Sequence, residues 1–272
     1  MNNSKVNAAK ELLLKAVRVY SKPVVILFSG GRDSLIVLDL AYHTLGPRRF
    51  IVVYVKINGN THPESYRIAV KTLRSYDVNF HILTSPYFWS LFRRYGYPFL
   101  PMKYNPKWRG LRWCLRECKQ KVWDQYVCNR IVIDGIKAND RLMRKQMIER
   151  HGPIHEVNTA GYSPHISVRI LHDWTDRDVA EYIESYGLKE YLDPCYTLIG
   201  RSGNCTFCFF LSKRKVLDLL KDDFGRKCIE KWIEIHEFLR KHPSMITTRK
   251  TFQYFNKIYN HIKEQRLITG YL

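Results

Sequence analysis

The segment Ser29-Gly30-Gly31-Arg32-Asp33-Ser34 is the part of the sequence whose residue types and spacing most directly indicate chemistry. It follows the apolar run 24–28, which has the character of a buried strand, and it precedes a stretch with helical periodicity. Two adjacent glycines allow a tight turn that brings backbone N–H groups close to an anion. The N-terminus of the next helix adds free N–H groups and a positive dipole end. The segment therefore predicts a loop that binds the phosphates of a nucleotide.

Asp33 is the one acidic residue of this loop, and a carboxylate repels bare phosphate. We therefore expect Asp33 to hold Mg²⁺ or to position a substrate, which makes it a candidate catalytic residue. The simpler alternative is an ordinary turn between strand and helix in which Asp33 caps the helix.

Four cysteines have the spacing of metal ligands. Cys114 and Cys118 are four residues apart on a predicted helix, so both thiols lie on one helix face. Cys205 and Cys208 form a C-x-x-C pair after a glycine-containing turn. If the two pairs meet in the fold, they make a four-thiolate site for Zn²⁺ or an iron–sulfur cluster. The alternative is four unrelated buried thiols.

The other three cysteines receive separate predictions. Cys195 could replace one of the four ligands, while Cys128 and Cys228 are expected to fill the core. No secretory signal precedes them, so we expect a reducing, cytoplasmic location in which clustered thiols bind metal or carry out redox chemistry.

Predicted strands and helices alternate along the first 210 residues, which indicates an α/β fold with a doubly wound, mostly parallel sheet. The predicted strands are 24–28, 51–55, 78–83, 131–133 and 166–170, and the predicted helices are 4–20, 35–44, 64–76, 113–128 and 176–186. Two or three basic, aromatic-rich helices follow between 213 and 266. We therefore predict a nucleotide-binding domain over 1–210 and a basic helical region over 211–272.

The charge indicates a polyanionic partner. The chain of 272 residues carries a formal net charge of +20. Residues 91–150 hold 15 Lys and Arg against 5 Asp and Glu, and residues 209–272 hold 14 against 7. We expect nucleic acid as the partner, with tRNA favoured and no membrane association, and a solvated basic surface is the alternative. Four aromatic residues are candidates for stacking on unpaired bases: Tyr97, Tyr104, Trp108 and Trp113.

With its phosphate loop the sequence resembles the PP-loop pyrophosphatases, or adenine nucleotide alpha hydrolases. Further segments, in the same order as in that family, extend the resemblance over residues 23–210. Residues 58–65 resemble the DTG-x-x-FPET segment of the phosphoadenosine phosphosulfate (PAPS) reductase branch. Residues 135–144 resemble its G-[IV]-R-x-x-[ED]-S-x-x-R stretch, and 173–179 its DWT-x-x-DV helix start. Residues 192–208 resemble the family's ending with C-x-x-C.

The resemblance implies ATP as the nucleotide, bound with Mg²⁺. It places adenosine near Asn58, Gly59 and Gly135, and it gives Lys137 or Arg141 the role of neutralising the departing pyrophosphate. Lys137 stands where the family usually has Arg, and Arg141 where Ser is common. For the cysteines, the resemblance favours a [4Fe–4S] cluster over zinc.

Two departures from the family bear on the reaction. The loop is intact, whereas reductases of this family usually have a degraded one, and no cysteine follows Cys228, whereas reductases carry a nucleophilic cysteine in a C-terminal ECGxH-type tail. We therefore expect an ATP-dependent adenylating enzyme, of the sulfurtransferase type, acting in sulfur transfer to nucleic acid from a sulfur donor that the sequence does not identify. The alternatives are a PAPS or adenylyl sulfate reductase and a non-catalytic nucleic-acid-binding protein.

Overall fold

The computed structural model describes residues 3–98, 112–158, 163–245 and 249–269, the last five without their side chains. Helices and strands alternate over the first two thirds of the chain, as the sequence predicts. The strands are β1 (Val24–Phe28), β2 (Phe50–Lys56), β3 (Asn79–Thr84), β4 (Ile131–Ile133), β5 (Ile154–Val157) and β6 (His165–Val168). The helices are α1 (Asn3–Tyr20), α2 (Arg32–Leu45), α3 (Pro63–Ser75), α4 (Phe88–Tyr95), α5 (Trp113–Leu115), α6 (Lys121–Val127), α7 (Leu142–His151), α8 (Asp176–Ser185), α9 (Cys195–Leu198), α10 (Lys213–Asp218), α11 (Asp223–Lys241) and α12 (Arg249–Thr269).

The six strands form one sheet in the order β3-β2-β1-β4-β6-β5. All pairs are parallel except β5 with β6, which is antiparallel. The chain runs from β1 to β2 on one side and later returns to β4 on the other, so the strand order switches direction at β1. In open α/β sheets, ligands bind beyond the carboxyl ends of the strands at such a switch point. The predicted fold class is confirmed.

The chain divides into two compact units. The first unit contains the sheet and comprises Met1–Lys56, Pro63–Thr84 and Gln120–Pro194. The second comprises Ile57–His62, Ser85–Lys119 and Cys195–Leu272. The predicted division into 1–210 and 211–272 stays a prediction.

The core of the first unit lies against the central strands. β1 and β2 are almost continuously apolar because the residues of a central parallel strand are covered on both faces. From α2, Leu35, Val37 and Leu38 are fully buried in the same cluster.

The second unit is held by aromatic residues. Phe207, Phe209, Trp232 and Phe255 are all buried in one cluster, with ring centroids 5.5–6.2 Å apart for the neighbouring pairs. The helices α11 and α12 supply two of these rings, so the aromatic content of the basic C-terminal region serves packing.

Four of these helices and strands were not predicted: α4, α7, α9 and β5. In α7 only Ile148 is buried, so the helix lacks the apolar stripe that sequence periodicity detects. β5 is a four-residue edge strand with no fully buried residue. No helix in the described ranges is long and apolar enough to cross a membrane.

Candidate functional site

The predicted phosphate loop lies between the carboxyl end of β1 and the start of α2, at the switch point of the sheet. Gly30 has φ +74°, a left-handed conformation that favours glycine. The Ser34 hydroxyl donates to the Gly31 carbonyl at 2.8 Å and lies 3.1 Å from the Ser29 hydroxyl, and the backbone N–H of Ser29 donates to it at 3.2 Å. These bonds hold the loop in a closed turn, with both hydroxyls inside it.

The helix that follows the loop begins without a side-chain cap. Gly31 is its N-cap residue and makes no side-chain cap hydrogen bond. Asp33 therefore does not act as the N-cap, contrary to the alternative interpretation of the loop. An uncapped helix start that adjoins a glycine turn is suited to an anion, because its first N–H groups and its dipole favour negative charge.

Lys137 forms an ion pair with Asp33 of the loop. Its ammonium nitrogen lies 2.7 Å from Asp33 Oδ2, 3.0 Å from Asp140 Oδ1 and 3.5 Å from Asp176 Oδ1, and the residue is only 2% exposed. Burial lowers the pKa of Lys137, but the two nearest carboxylates outweigh it and the net pKa is raised. Burial raises the pKa of Asp33, although Lys137 and Arg32 act in the opposite direction. The lysine therefore stays a cation beside the loop.

Gly135 brings the two segments together. A Cβ at this position would lie 2.9 Å from Asp33 Cβ and 3.2 Å from the backbone nitrogen of Ser34. Only glycine lets the chain after β4 pass this close to the phosphate loop, and this close approach places Lys137 beside Asp33.

Arg141 is placed differently from Lys137. It is exposed at the N-terminal boundary of α7, and no ion pair to its side chain is formed within the described residues. Asp140, which pairs with Lys137, instead accepts a hydrogen bond on Oδ2 from Arg144. The sequence interpretation missed Asp140 and Asp176 as partners of Lys137. Asp140 could have been found from its acidic position in the family-like stretch, whereas nothing in the sequence indicated Asp176.

Asn58 and Gly59, the residues predicted to lie near adenosine, belong to the second unit. Gly59 has φ +78°, and a Cβ there would come within 2.3 Å of the Tyr87 ring. The Gly59 carbonyl accepts a hydrogen bond from Trp89 Nε1 at 2.7 Å, and the Asn58 N–H donates to Ser85 Oγ at 3.1 Å. This turn therefore has a structural reason for its glycine.

The four predicted cysteine ligands all lie in the second unit, and each interacts with at least one of the others. Cys118 interacts electrostatically with Cys114, Cys114 with Cys208, and Cys208 is hydrogen-bonded to Cys205. Burial raises the pKa of Cys114 to about 11 and that of Cys118 to about 12. The hydrogen bond from Cys205, aided by nearby Arg201, lowers the pKa of Cys208.

These thiols gather but do not form a closed single-ion site. Within the described ranges, no three His, Cys, Asp or Glu side chains have an arrangement that could hold a metal ion. The Cys205 sulfur instead contacts protein groups, at 3.4 Å from Asn60 Nδ2 and 3.3 Å from the Phe207 carbonyl. The four thiols are nevertheless the type of ligand that Zn²⁺ and iron–sulfur clusters take.

Predictions for several other side chains need correction. Tyr97 is 1% exposed and hydrogen-bonded to His236, and Trp113 donates from Nε1 to the Gly96 carbonyl inside the core, so neither is free to stack on a base. These rings are buried because the second unit uses them for packing. Trp108 and Tyr104 lie outside the described residues. Cys128 is exposed rather than in the core because it ends α6, whereas Cys228 is buried as predicted.

Comparison with known families supports the assignment that the motifs suggest. Residues 23–194 match the phosphoadenosine phosphosulfate reductase domain, which is more than half of the chain. The chain belongs to the PAPS reductase family. This PAPS reductase-like chain is also 27% identical over 231 residues to an uncharacterized protein of Methanocaldococcus jannaschii. That match covers 81% of the chain but only 43% of the length of the relative.

Two solved structures resemble the fold of this PAPS reductase-like chain. Phosphoadenylyl-sulfate reductase from Candida auris, in a phosphate complex, is 15% identical with a TM-score of 0.48 and covers 70% of this chain and 84% of its own. The U34-tRNA thiolase NcsA from Methanococcus maripaludis, with its [4Fe–4S] cluster, is 14% identical with a TM-score of 0.48 and covers 96% of this chain and 82% of its own.

Proposed function

We propose that this protein is an ATP-dependent adenylating enzyme of the PP-loop type that acts in sulfur transfer to nucleic acid. The observation that carries the proposal is the intact loop at the switch point, with Lys137 held 2.7 Å from Asp33 beside it. An uncapped helix start and a buried cation together suit the pyrophosphate part of a nucleoside triphosphate better than a single phosphate.

In this mechanism the loop and Lys137 act on the leaving group. An oxygen of the acceptor attacks the α-phosphorus of ATP, the bond to the β-phosphate oxygen breaks, and pyrophosphate leaves with its electron pair. The N-terminal end of α2 and the Lys137 ammonium stabilise the negative charge that develops there. A sulfur nucleophile then attacks the adenylated carbon and displaces AMP.

Asp33 is the residue of the loop suited to Mg²⁺. A magnesium ion in a nucleotide site is usually held by one or two carboxylates together with substrate phosphates and water, and Asp33 supplies such a carboxylate. When bound, the ion neutralises phosphate charge. Lys137 holds the carboxylate in place through the salt bridge described above.

The four cysteines are proposed to hold a [4Fe–4S] cluster, with Zn²⁺ as the competitor. The ligands would be Cys114, Cys118, Cys205 and Cys208, which gather in the second unit. When bound, a cluster would supply a site at which sulfur is held for transfer. Arg201 and Lys119 act on Cys205 electrostatically, and cations near four thiolates offset their negative charge.

The acceptor is proposed to be an RNA, with tRNA favoured. The net charge of +20 and its concentration in 91–150 and 209–272 support a polyanionic substrate. Since the described aromatic candidates for stacking are buried, the proposal rests on the charge and on the sulfur-transfer chemistry.

A PAPS or adenylyl sulfate reductase is the second candidate, and the family match over 23–194 favours it. Such an enzyme reduces the sulfonucleotide without consuming ATP. The two activities are separated by one experiment on anaerobically purified protein: pyrophosphate release is measured with ATP, Mg²⁺ and bulk tRNA, and sulfite release is measured with sulfonucleotide and a thiol reductant.

Pyrophosphate release that depends on tRNA, and that Asp33→Ala abolishes, would support the adenylating enzyme. Sulfite release without ATP would support the reductase. Neither activity, together with tight RNA binding, would favour the non-catalytic alternative. Circular dichroism of Asp33→Ala is the control, because the loss of activity must occur in a folded protein.

A further inference from the structure

A second group of cations lies at the same edge of the sheet as the phosphate loop. Arg169 directly follows β6, and Asp134 directly follows its neighbour β4, so both lie at carboxyl ends of parallel strands. Arg169 is 5% exposed, although arginine is seldom buried without full pairing. None of the sequence motifs described above includes Arg169 or His155.

The hydrogen-bonding capacity of Arg169 is poorly used. Its Nε is buried and has no acceptor within the described part of the chain. Its two terminal nitrogens each lie 3.4 Å from a different ring nitrogen of His155. A neutral imidazole has only one acceptor nitrogen, so at most one of these long contacts is a hydrogen bond. A buried guanidinium with unused donors calls for a further acceptor.

Charges of both signs surround Arg169. Burial lowers the pKa of Arg169, Asp134 acts in the opposite direction, and repulsion from Arg144 lowers it further. Burial lowers the pKa of His155 to about 4, with further lowering by Arg169, His151 and His165. Asp134 is the carboxylate that faces Arg169, and one of its oxygens already accepts the Ile136 N–H at 3.0 Å.

We propose that Arg169, Arg144 and His155 form a second anion site that binds a tetrahedral oxyanion, either phosphate or sulfate. The planar guanidinium of Arg169 can donate to two oxygens of such an anion, and His155 can donate from a ring N–H. Arg144 is half-exposed and supplies the approach from solvent. Asp140 joins this oxyanion site to the phosphate loop, because it contacts both Arg144 and Lys137. The inference goes beyond the proposed function and does not require that ATP binds.

The test uses the full chain and inorganic anions. The ring protons of His155 are followed by NMR from pH 3.5 to 8 in sodium phosphate, sodium sulfate and sodium chloride at equal ionic strength, and His155→Asn assigns the signal. The pKa of His155 should rise from about 4 towards its ordinary value in phosphate or sulfate, because an anion stabilises the charged ring. A pKa that is the same in all three salts would overturn the proposal. The two anions, compared separately, distinguish a phosphate site from a sulfate site.

Variants separate this site from the phosphate loop. Arg169→Met should remove the response of His155 and lower the anion affinity measured by calorimetry by about tenfold or more. Ser34→Ala, in the phosphate loop, and Arg177→Met, on an exposed arginine paired with Glu181, should leave the response intact. A response that survives Arg169→Met but is lost in Ser34→Ala would overturn the proposal. A retained response in a protein that does not bind ATP would refute the proposed function and leave the oxyanion site supported.

Discussion

The ammonium of Lys137 lies 2.7 Å from the carboxylate of Asp33, although 104 residues separate them in the chain. The parallel pairing of β1 with β4 makes this contact, because it sets the loop after each strand at the same edge of the sheet. Asp140 lies 3.0 Å from the same ammonium and also binds Arg144. The lysine is therefore fixed beside the phosphate loop.

Replacing Lys137 should impair catalysis more than folding. We expect Lys137→Met to lower pyrophosphate release by about 100-fold, because a cation that stabilises the leaving group is lost. Lys137→Arg should retain much of the activity, since it keeps the charge. Asp176→Asn is the matched control, because Asp176 contacts the same ammonium at 3.5 Å but is 77% exposed. An equal loss in Asp176→Asn and Lys137→Met would contradict the assigned role.

The affinity for nucleotides should reflect the loop. We predict that ATP with Mg²⁺ binds more tightly than AMP by calorimetry, because the loop and Lys137 act on the pyrophosphate part. Gly135→Ala should remove most of this difference, since the added Cβ would push the chain away from Asp33. Gly187→Ala is the control: a Cβ there has no neighbour within 4 Å, although its φ of +66° also carries strain. Equal affinity for ATP and AMP in the natural protein would disprove the pyrophosphate assignment.

The cysteine prediction concerns colour and stability together. Anaerobically purified protein should be brown and contain iron and acid-labile sulfide. Cys205→Ser or Cys208→Ser should remove the colour and lower the melting temperature, because metal binding couples to folding. Cys128→Ser should change neither, since Cys128 is exposed and lies outside the group. Colourless protein with stoichiometric zinc would keep the four-thiolate site but refute the cluster, and metal-free protein would refute both.

Binding of RNA should weaken steeply with salt. The excess of basic residues in 91–150 and 209–272 would release counterions from the nucleic acid, so the logarithm of the affinity should fall linearly with the logarithm of salt concentration. Fluorescence anisotropy with labelled tRNA at about 50 and 200 mM salt measures this slope. An affinity that does not change over that range would indicate that the charges serve solubility.

The stability of the second unit should depend on pH through His236. This residue is fully buried, with Nδ1 2.7 Å from the Tyr97 hydroxyl, and burial lowers its pKa to about 4. Because the pKa of histidine in the unfolded chain is about 6.5, the unfolded state takes up the proton first as the pH falls. Stability is therefore fully present above about pH 6.5 and is lost progressively towards pH 4, by about 3 kcal/mol for this group.

Urea unfolding at pH 7 and pH 4.5 tests whether stability falls on acidification as predicted. His236→Gln should be less stable at pH 7 but should lose less stability on acidification than the natural protein. His43→Gln is the control, because His43 is exposed on α2. A greater loss of stability in His236→Gln between the two pH values would contradict the prediction.

Local patterns in the sequence determined the glycine turn between β1 and α2, the parallel sheet and the family. Continuous apolar runs mark strands buried on both faces, and a glycine turn between such a strand and a helix is typical of a loop that binds phosphate. The spacing within Cys114–Cys118 and Cys205–Cys208 identified each thiol pair.

Only the tertiary structure decided which side chains meet and which are buried. Asp140 and Asp176 lie close to Lys137 because the segments that follow β4 and β6 meet at one edge of the sheet. Arg169 contacts His155 because β5 pairs antiparallel with β6. Tyr97 illustrates the converse, since an aromatic residue in a basic segment looks available for a base until packing against α11 and α12 buries it. Residue type and spacing report local chemistry, whereas long-range contacts depend on the strand order, which no local pattern encodes.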